Sequence, residues 1–460
     1  MPGYLQGPGS FLYLNYYLPI KSGPVKYLKI YNCLKKSQWW PRWKLEQYQT
    51  ERLRQLLRHA YKNVPYYTDI FKKLNLTPKD IKSIEDLRRL PILTKEGIVK
   101  HFDKLISAKV NKKYITLIST SGSTGKPMEF YRDERASPIE SFLLRRNSEW
   151  ANLKVYDKNV RLWSRPFIEK AIKDVYLYQP FFRRLSLSTV SCEAGRLDEY
   201  IKLLKEFNPI YITGNPSMLY HLACYAQEKN INDIKFKCFI SYYENLFPCQ
   251  KELIKKQFNC EVFNYYSTAE RAIYAMECPE HLGMHIGMER GILEIIGEDG
   301  KIMPEGEQGR IIATGFYNYA MPLIRYDVGD IGAISEKPCP CGRGLPVLKS
   351  LDGRANEVLR CNNKIIYSTT LSVILWQFKN IKECQFVQES EGEIKINIVR
   401  REGYSEKDSK ELIETLQKMI GVKLNINISF LEYIPRTKMG KFPFIVSKLA
   451  EAFACKDEGI

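Results

Sequence analysis

The chain has 460 residues, 44% apolar and 27% charged, which is enough for two or three domains with sizeable cores and excludes a low-complexity chain. The apolar run from Phe11 to Ile20 is too short to cross a bilayer. The 70 Lys and Arg outnumber the 52 Asp and Glu, and the formal net charge of +18 indicates either a solvated basic surface or an anionic partner, such as a nucleotide, coenzyme A, a nucleic acid or an acidic membrane face.

Hydrophobic periodicity predicts an alternation of helices and strands along the chain. In chain order it predicts a helix at 50–62, a strand at 114–118, a helix at 195–207, a strand at 210–213, a helix at 216–228, strands at 236–240, 261–265 and 309–313, a strand at 394–399, a helix at 409–420 and a strand at 424–430. This alternation predicts an α/β fold. The Gly-Arg pair at 353 and 354 follows a turn-forming segment, so we expect a large N-terminal domain at 1–352 and a small α+β domain at 353–460.

The cysteines and the start of the chain predict the compartment. No basic residue precedes Lys21, so the positively charged start of a secretory leader is missing and we expect none. Twelve cysteines without a leader predict free thiols or metal ligands in a reducing cytoplasm.

The N-terminal region is aromatic and basic, and two interpretations of it are open. Trp39, Trp40 and Trp43 lie among lysines and arginines, as in segments that make peripheral contact with a membrane surface. The same tryptophans could instead pack onto their own domain. Because no clean amphipathic period runs through the region, we expect packing.

A stretch rich in Ser, Thr and Gly follows the strand predicted at 114–118. It reads Ser119-Thr-Ser-Gly-Ser-Thr-Gly-Lys126. Its two glycines allow backbone N–H groups to turn toward an anion, and its hydroxyls and lysine add donors suited to phosphate oxygens. It lacks the G-x-x-x-x-G-K-[ST] pattern of P-loop NTPases, and a flexible loop is the alternative.

Five segments together resemble the motifs of the adenylate-forming superfamily, and specifically its phenylacetate–CoA ligase-like branch. The segments are Ser119 to Lys126, Tyr266-Ser-Thr-Ala-Glu270, Arg325-Tyr-Asp-Val-Gly-Asp330, Gly353-Arg354 with Asn356, and Pro435-Arg-Thr-Lys-Met-Gly-Lys441. They occur in the order that the superfamily has. The branch includes relatives tied to capsular polysaccharide synthesis and relatives that adenylylate a deazaflavin coenzyme.

The resemblance implies a role for each motif residue in using ATP with Mg²⁺. It implies that Ser121, Gly122, Ser123, Thr124, Gly125 and Lys126 hold the β- and γ-phosphates. Glu270 would bind magnesium, Asp330 the ribose hydroxyls, and Arg354 the ribose or phosphate. Tyr243, Glu244 and Tyr266 would complete the nucleotide site. Lys441 would bridge the carboxylate and the α-phosphate in the reaction, carried by a mobile C-terminal lid.

Several positions depart from the usual motifs. Ala269 stands where Ser or Thr is usual, and Ser267 where glycine is usual. Asp327 and Val328 replace Arg-Thr, and Asn356 replaces an aspartate at the hinge. These changes resemble a capsule-type relative more than a phenylacetate ligase.

A cluster of cysteines and histidines predicts a structural zinc site. Cys278, His281 and His285 are followed by Cys339 and Cys341 in a Cys-Pro-Cys-Gly turn. Three thiols and one imidazole make a complete tetrahedral zinc set, and free thiols are the alternative. The resemblance, which includes a Gly-x-His segment in metal-binding members, favours His285 over His281.

The resemblance implies an AMP-forming acid–thiol ligase that activates a carboxylic acid and transfers the acyl group to coenzyme A or another acceptor. The alternative within the superfamily is a nucleotidyltransferase that leaves AMP on a cofactor. A nucleic-acid-binding protein is disfavoured because the basic residues are scattered rather than gathered in a stripe.

Overall fold

The structure is a computed structural model that describes residues 24–119, 128–163, 176–188, 196–335, 337–354, 358–361, 364–375, 377–420, 424–436 and 442–449. Three of the predicted features lie outside these ranges. They are the phosphate-binding residues Ser121 to Lys126, the hinge residue Asn356 and the catalytic candidate Lys441.

Helices and strands alternate along the described chain, as the sequence predicts. The helices are α1 (Pro24–Ser37), α2 (Arg42–Asn63), α3 (Pro65–Lys73), α4 (Lys95–Lys100), α5 (Phe102–Leu105), α6 (Ser137–Trp150), α7 (Leu197–Phe207), α8 (Pro216–Glu228), α9 (Pro248–Phe258), α10 (Ser368–Leu375) and α11 (Glu406–Ile420). The strands are β1 (Ile115–Ser119), β2 (Glu129–Asp133), β3 (Asn159–Trp163), β4 (Tyr176–Gln179), β5 (Arg184–Ser188), β6 (Tyr211–Gly214), β7 (Cys238–Ser241), β8 (Glu261–Ser267), β9 (Tyr274–Glu277), β10 (Met284–Ile286), β11 (Gly291–Ile296), β12 (Gly309–Gly315), β13 (Tyr326–Ile334), β14 (Val347–Arg354), β15 (Val358–Cys361), β16 (Lys364–Tyr367), β17 (Ile381–Ser390), β18 (Glu393–Arg400), β19 (Asn425–Phe430) and β20 (Ile445–Ser447).

The chain forms two compact units, of which the first contains the described residues up to Val155 together with 265–328 and 332–350. Its larger sheet has the strand order β11-β12-β13-β14-β10-β9-β8, and the pairings of β10 with β9 and β14 are antiparallel. Strands β1 and β2 form a separate antiparallel pair in which Ser119 lies opposite Glu129. The segment predicted to bind phosphate therefore joins the paired ends of these two strands.

The second unit contains residues 156–264, 329–331 and 351–460. Its sheet runs in the order β4-β5-β3-β6-β7-β8, with parallel pairing from β5 through β8. One face of these strands carries apolar residues such as Val160, Ile212 and Phe239, which are buried against α7, α8 and α9. In open parallel sheets of this kind, ligands bind at the carboxyl ends of the strands, which here lead to the segments after Gly214 and Ser241.

The C-terminal part of the second unit has a core of its own. Strands β19-β18-β17-β20 form a four-stranded sheet, and β15 pairs with β16. Leu412 and Leu416 on the inner face of α11 are buried with Phe386 and Ile396 of this sheet. The amphipathic spacing of α11 explains why this helix forms here.

The predicted elements coincide with observed ones, and the α/β fold class is confirmed. The helix predicted at 50–62 is the second half of α2, whose Leu53, Leu56, Leu57 and Ala60 are all buried. The helix predicted at 216–228 coincides with α8. The domain boundary at 352/353 stays a prediction, since the second unit joins 351–460 to 156–264. No helix in the described ranges has the length and apolar character needed to span a membrane.

Candidate functional site

Glu270 lies just after β8 in the first unit, and it is nearly buried, with 8% exposed. Its Oε1 accepts a hydrogen bond of 3.0 Å from the Tyr326 hydroxyl, which fixes the orientation of the carboxylate. Arg271, the next residue, has a left-handed backbone (φ +55°) and contacts Glu140 instead of Glu270. A fixed carboxylate oxygen of this kind is suited to a hard cation such as Mg²⁺.

The hydrogen bonds of Arg325 hold the neighbouring Tyr326 in place. Its guanidinium is 4% exposed and makes two hydrogen bonds to Glu294, of 3.2 Å and 3.1 Å, and one of 2.7 Å to the Leu90 carbonyl. Its backbone is left-handed, with φ +51°. Positive φ values in residues other than glycine are strained and concentrate at functional sites. The arginine of this motif therefore positions the tyrosine that orients Glu270.

Asp330 and Arg354, two predicted nucleotide-binding residues, lie together in the second unit. The Arg354 Nε donates to Asp330 Oδ1 at 3.0 Å. Gly353 precedes Arg354 with φ +99°, and a Cβ at this position would come within 2.8 Å of the Ser368 Oγ. Only glycine fits this close approach without strain. Because the two charged residues are far apart in the sequence, their spacing does not predict this contact, which forms only in the folded chain.

Tyr243 and Glu244 follow β7 at the carboxyl edge of the parallel sheet. Tyr243 is 47% exposed and has a left-handed backbone, with φ +75°. Glu244 accepts hydrogen bonds from the Asn215 side chain at 3.0 Å and from the backbone N–H groups of Ser217 and Phe442, both at 3.3 Å. Phe442, the residue that follows Lys441, thus contacts a residue predicted to belong to the nucleotide site.

The four predicted zinc ligands lie together in the first unit. The ligand atoms of Cys278, His285, Cys339 and Cys341 all fall within 4.8 Å of one another. The Cys278 and Cys339 sulfurs are 3.7 Å apart, and the Cys341 sulfur is 3.3 Å from His285 Nε2. Tetrahedral zinc with its usual bond lengths requires about 3.7 Å between sulfurs and about 3.5 Å from sulfur to nitrogen. This donor set therefore fits a tetrahedral metal ion.

Four strands bring the cluster together. Cys278 follows β9, His285 lies in β10 between β9 and β14, and the Cys-Pro-Cys turn joins β13 to β14. His281, the other candidate, is bonded through Nδ1 to Glu277 Oε2 at 2.9 Å and is not in the cluster.

The protonation states in the cluster bear on whether it can hold a cation. Burial lowers the pKa of His285 to about 4, so its imidazole is neutral at pH 7. The 3.1 Å contact of Nδ1 with the Leu345 carbonyl requires a proton on Nδ1 and leaves the lone pair on Nε2, which faces Cys341. Burial raises the pKa of Cys278 to about 12, so a thiolate here requires a neighbouring positive charge.

One ionic cluster in the second unit was not predicted from the sequence. Glu383 of β17 is 8% exposed by its side chain and contacts His221 of α8 and Arg436. The Arg436 Nη2 lies 2.6 Å from Glu383 Oε1 and 2.6 Å from His221 Nε2. Arg436 belongs to the Pro-Arg-Thr motif, which is the only signal in the sequence that could have pointed to it.

Known proteins provide an independent comparison. A family model described as the CapK C-terminal domain matches residues 358–448. Protein CapK of Staphylococcus aureus is 29% identical over 409 residues, covering 87% of this chain and 89% of the relative. A phenylacetate-coenzyme A ligase of Thermus thermophilus is 23% identical over 439 residues, covering 87% and 96% respectively.

The fold is shared with solved structures. A 2-hydroxyisobutyryl-CoA ligase, solved in the postadenylation state with R3-HIB-AMP, matches with a TM-score of 0.76 and 19% identity over 91% of this chain and 92% of that one. The fold class and the predicted resemblance to CoA ligases are therefore confirmed. The chain is therefore similar to CapK and to phenylacetate-coenzyme A ligases over most of its length, and its residues 358–448 match the CapK C-terminal domain.

Proposed function

We propose that this chain is an AMP-forming ligase that activates a carboxylic acid with ATP and then transfers the acyl group to coenzyme A. A carboxylate oxygen attacks the α-phosphorus of ATP, and pyrophosphate leaves. The thiolate of coenzyme A then attacks the acyl carbon, and AMP leaves. The observation that carries the proposal is the similarity to phenylacetate-coenzyme A ligase over 87% of this chain, with five ATP-related motifs in the superfamily's order.

The described residues have the chemistry that the first step needs. Two anions must meet, so the site has to supply cations and fixed hydrogen-bond donors and acceptors. Glu270, oriented by Tyr326, would hold Mg²⁺, which neutralises phosphate charge when bound. Asp330 would accept hydrogen bonds from the ribose, with Arg354 beside it as a cation for ribose or phosphate oxygens. Lys441 and the segment from Ser121 to Lys126 would complete the phosphate contacts.

Zinc bound by Cys278, His285, Cys339 and Cys341 would be structural. All four positions of a tetrahedral site are filled by protein, so no position is left for a substrate. The ion would join the ends of β9, β10 and the loop before β14, and so stabilise the sheet that leads from Glu270 to Tyr326.

A role in capsular polysaccharide synthesis stays a prediction, supported by the similarity to CapK.

The test is a screen for pyrophosphate release over aryl, aliphatic, amino and sugar acids, with ATP and Mg²⁺. We expect one class of acid to release pyrophosphate, and coenzyme A then to yield a thioester and free AMP in equal amounts. Glu270→Gln should lower the rate and shift its magnesium dependence, while Glu307→Gln, at an exposed turn, serves as the matched control.

Two outcomes would contradict the proposal. Pyrophosphate release with AMP retained on a cofactor would instead favour the nucleotidyltransferase. Release of ADP and phosphate would exclude adenylate chemistry altogether.

A further inference from the structure

An exposed aromatic corner lies where α1 ends and α2 begins. Trp39 is 53% exposed and Trp43 is 65% exposed, whereas the sequence predicts packing for both. Trp40 is less exposed and packs against Tyr48 and the Lys44 ammonium. Tryptophan is costly to leave in water, and its amphipathic ring is enriched at the boundary between lipid and water. We call residues 35–44 the tryptophan corner.

The backbone under the corner is tightly held. The Gln38 carbonyl accepts a 3.0 Å hydrogen bond from the Gly344 N–H, and the Gln38 side chain accepts from Trp150 Nε1 at 2.7 Å and Arg343 Nε at 3.1 Å. A Cβ on Gly344 would come within 1.8 Å of the Trp40 carbonyl oxygen, so the two segments are in close contact. The exposed rings therefore project from a fixed support and need little ordering to bind.

That support is the cysteine turn of the metal cluster. Arg343, two residues after Cys341, lies over the rings of both Trp39 and Trp150, at 4.9 Å and 4.6 Å. Trp150 in turn packs edge-on against His285 at 5.6 Å. The cluster and the corner thus form one continuous packed structure in the first unit.

The charge of this region indicates what covers the corner. Seven Lys and Arg, and no Asp or Glu, precede Glu46 in the chain. Lys35 is paired with Glu149 and Arg42 with Glu46, while Lys36 and Lys44 are exposed beside the tryptophans. Cations next to exposed indole rings complement an anionic lipid surface, since each lysine near it adds attraction and each ring inserts at headgroup depth.

We propose that the tryptophan corner docks the protein on the surface of an anionic bilayer. Trp39 and Trp43 insert among the headgroups, and Lys36 and Lys44 contact lipid phosphates. The inference depends on the exposed corner and not on the proposed ligase activity.

The test uses the full chain with its metal and measures sedimentation with vesicles. Vesicles of phosphatidylcholine with one-third phosphatidylglycerol should bind the protein, and pure phosphatidylcholine should bind it much more weakly. The double variant Trp39→Ala/Trp43→Ala should lower the partition coefficient by about tenfold or more. Lys36→Glu/Lys44→Glu should lower it by well over tenfold, since each lost lysine alone costs about fivefold.

Controls separate the corner from general effects. Tyr156→Ala removes another exposed ring, 56% exposed and distant in sequence, and should leave binding unchanged. Thermal melting should be similar for all variants because the replaced side chains are exposed.

Three results would overturn the proposal. Equal binding by the wild type and the tryptophan double variant would exclude the corner as the contact. Failure of the wild type to bind the anionic vesicles would exclude the membrane. A dimer that the tryptophan variant loses, without vesicle binding, would assign the corner to self-association.

Discussion

At the scale of single residues, the predicted zinc ligands give the sharpest test of side-chain geometry. Two histidines lie four residues apart in the sequence, but only His285 has its ring nitrogen next to a cysteine sulfur. His281 is bonded to Glu277. Metal content should therefore distinguish two residues of the same type in the same segment.

We predict about one zinc ion per chain in the purified protein, measured by elemental analysis. His285→Ala and Cys341→Ser should lose the ion and melt at a lower temperature, because structural zinc contributes folding free energy. His281→Ala should keep the ion, as should Cys33→Ser, which replaces an exposed thiol. Zinc-free wild-type protein, or loss of zinc in His281→Ala alone, would contradict this assignment.

A second prediction at the residue scale concerns Asp330. Its carboxylate accepts from Arg354 at 3.0 Å, and we propose that it also accepts from the ribose of ATP. Asp330→Ala should weaken ATP binding by on the order of 2 kcal/mol, the value of a hydrogen bond to a charged group. Isothermal titration calorimetry measures this directly. Asp327→Asn is the matched control, since Asp327 pairs with Arg310, and ATP affinity should be unchanged. Normal affinity in Asp330→Ala would disprove the ribose contact.

At the scale of elements, the sequence predicts those helices and strands whose apolar residues recur at a regular spacing along the chain. The buried positions of α2 are spaced for a helix, and Pro216 stands at the first turn of α8, where proline is favoured. The antiparallel strands β9 and β10 were missed because they have only four and three residues, too few to show an alternation of apolar and polar positions.

The candidate site, too, was predictable only where a local sequence motif marks its residues. Motif residues were recognised one by one, whereas the hydrogen bond of Tyr326 to Glu270 and the cluster around Glu383 are formed by tertiary packing. No local pattern marks Glu383, because its partners His221 and Arg436 lie 162 and 53 residues away from it in the sequence.

The Glu383 cluster joins strand β17 to helix α8 and predicts a dependence of stability on pH. Burial alone would raise the pKa of Glu383, but His221 and Arg436 lower it from its usual 4.5 to about 2. A depressed folded-state pKa stabilises the protein above the unfolded-state value, and this stabilisation is lost as the pH falls from about 4.5 toward 2.

We therefore expect Glu383→Gln to lower the free energy of unfolding at pH 7 by on the order of 2 kcal/mol, the value of a hydrogen bond to a charged group, with the difference from wild type shrinking as the pH falls through this window. Urea denaturation at a series of pH values measures it. Glu389→Gln is the matched control, because Glu389 is exposed in its pair with Lys448 and such pairs contribute little. A pH-independent difference would show that the cluster acts by packing and not by charge.

At the scale of the whole molecule, the five motifs are spread from residue 119 to residue 441, so the proposed reaction requires the chain over almost its full length. The chain's matches to its relatives have the same extent, covering 87% of it for both CapK and the Thermus thermophilus ligase. The C-terminal domain predicted at 353–460 contains the last motif, and the predicted role of this domain as a lid leads to a prediction about the two half-reactions.

Lys441 should act in only one of these half-reactions. Adenylation brings an anionic carboxylate onto an anionic phosphate, and a lysine placed between them stabilises the transition state more than the ground state. Once the acyl-adenylate exists, the thiol attacks a neutral carbonyl, and the lysine has little further effect. Lys441→Ala should therefore slow pyrophosphate release by about a hundredfold or more, yet transfer the acyl group from synthetic acyl-adenylate at nearly the wild-type rate. Lys448→Ala, at an exposed lysine nearby in the sequence, should affect neither step. Asn356→Pro should slow transfer more than adenylation, because a rigid hinge restricts the rotation of the lid. Equal slowing of both steps by Lys441→Ala would argue against two lid orientations and in favour of a static nucleotidyltransferase.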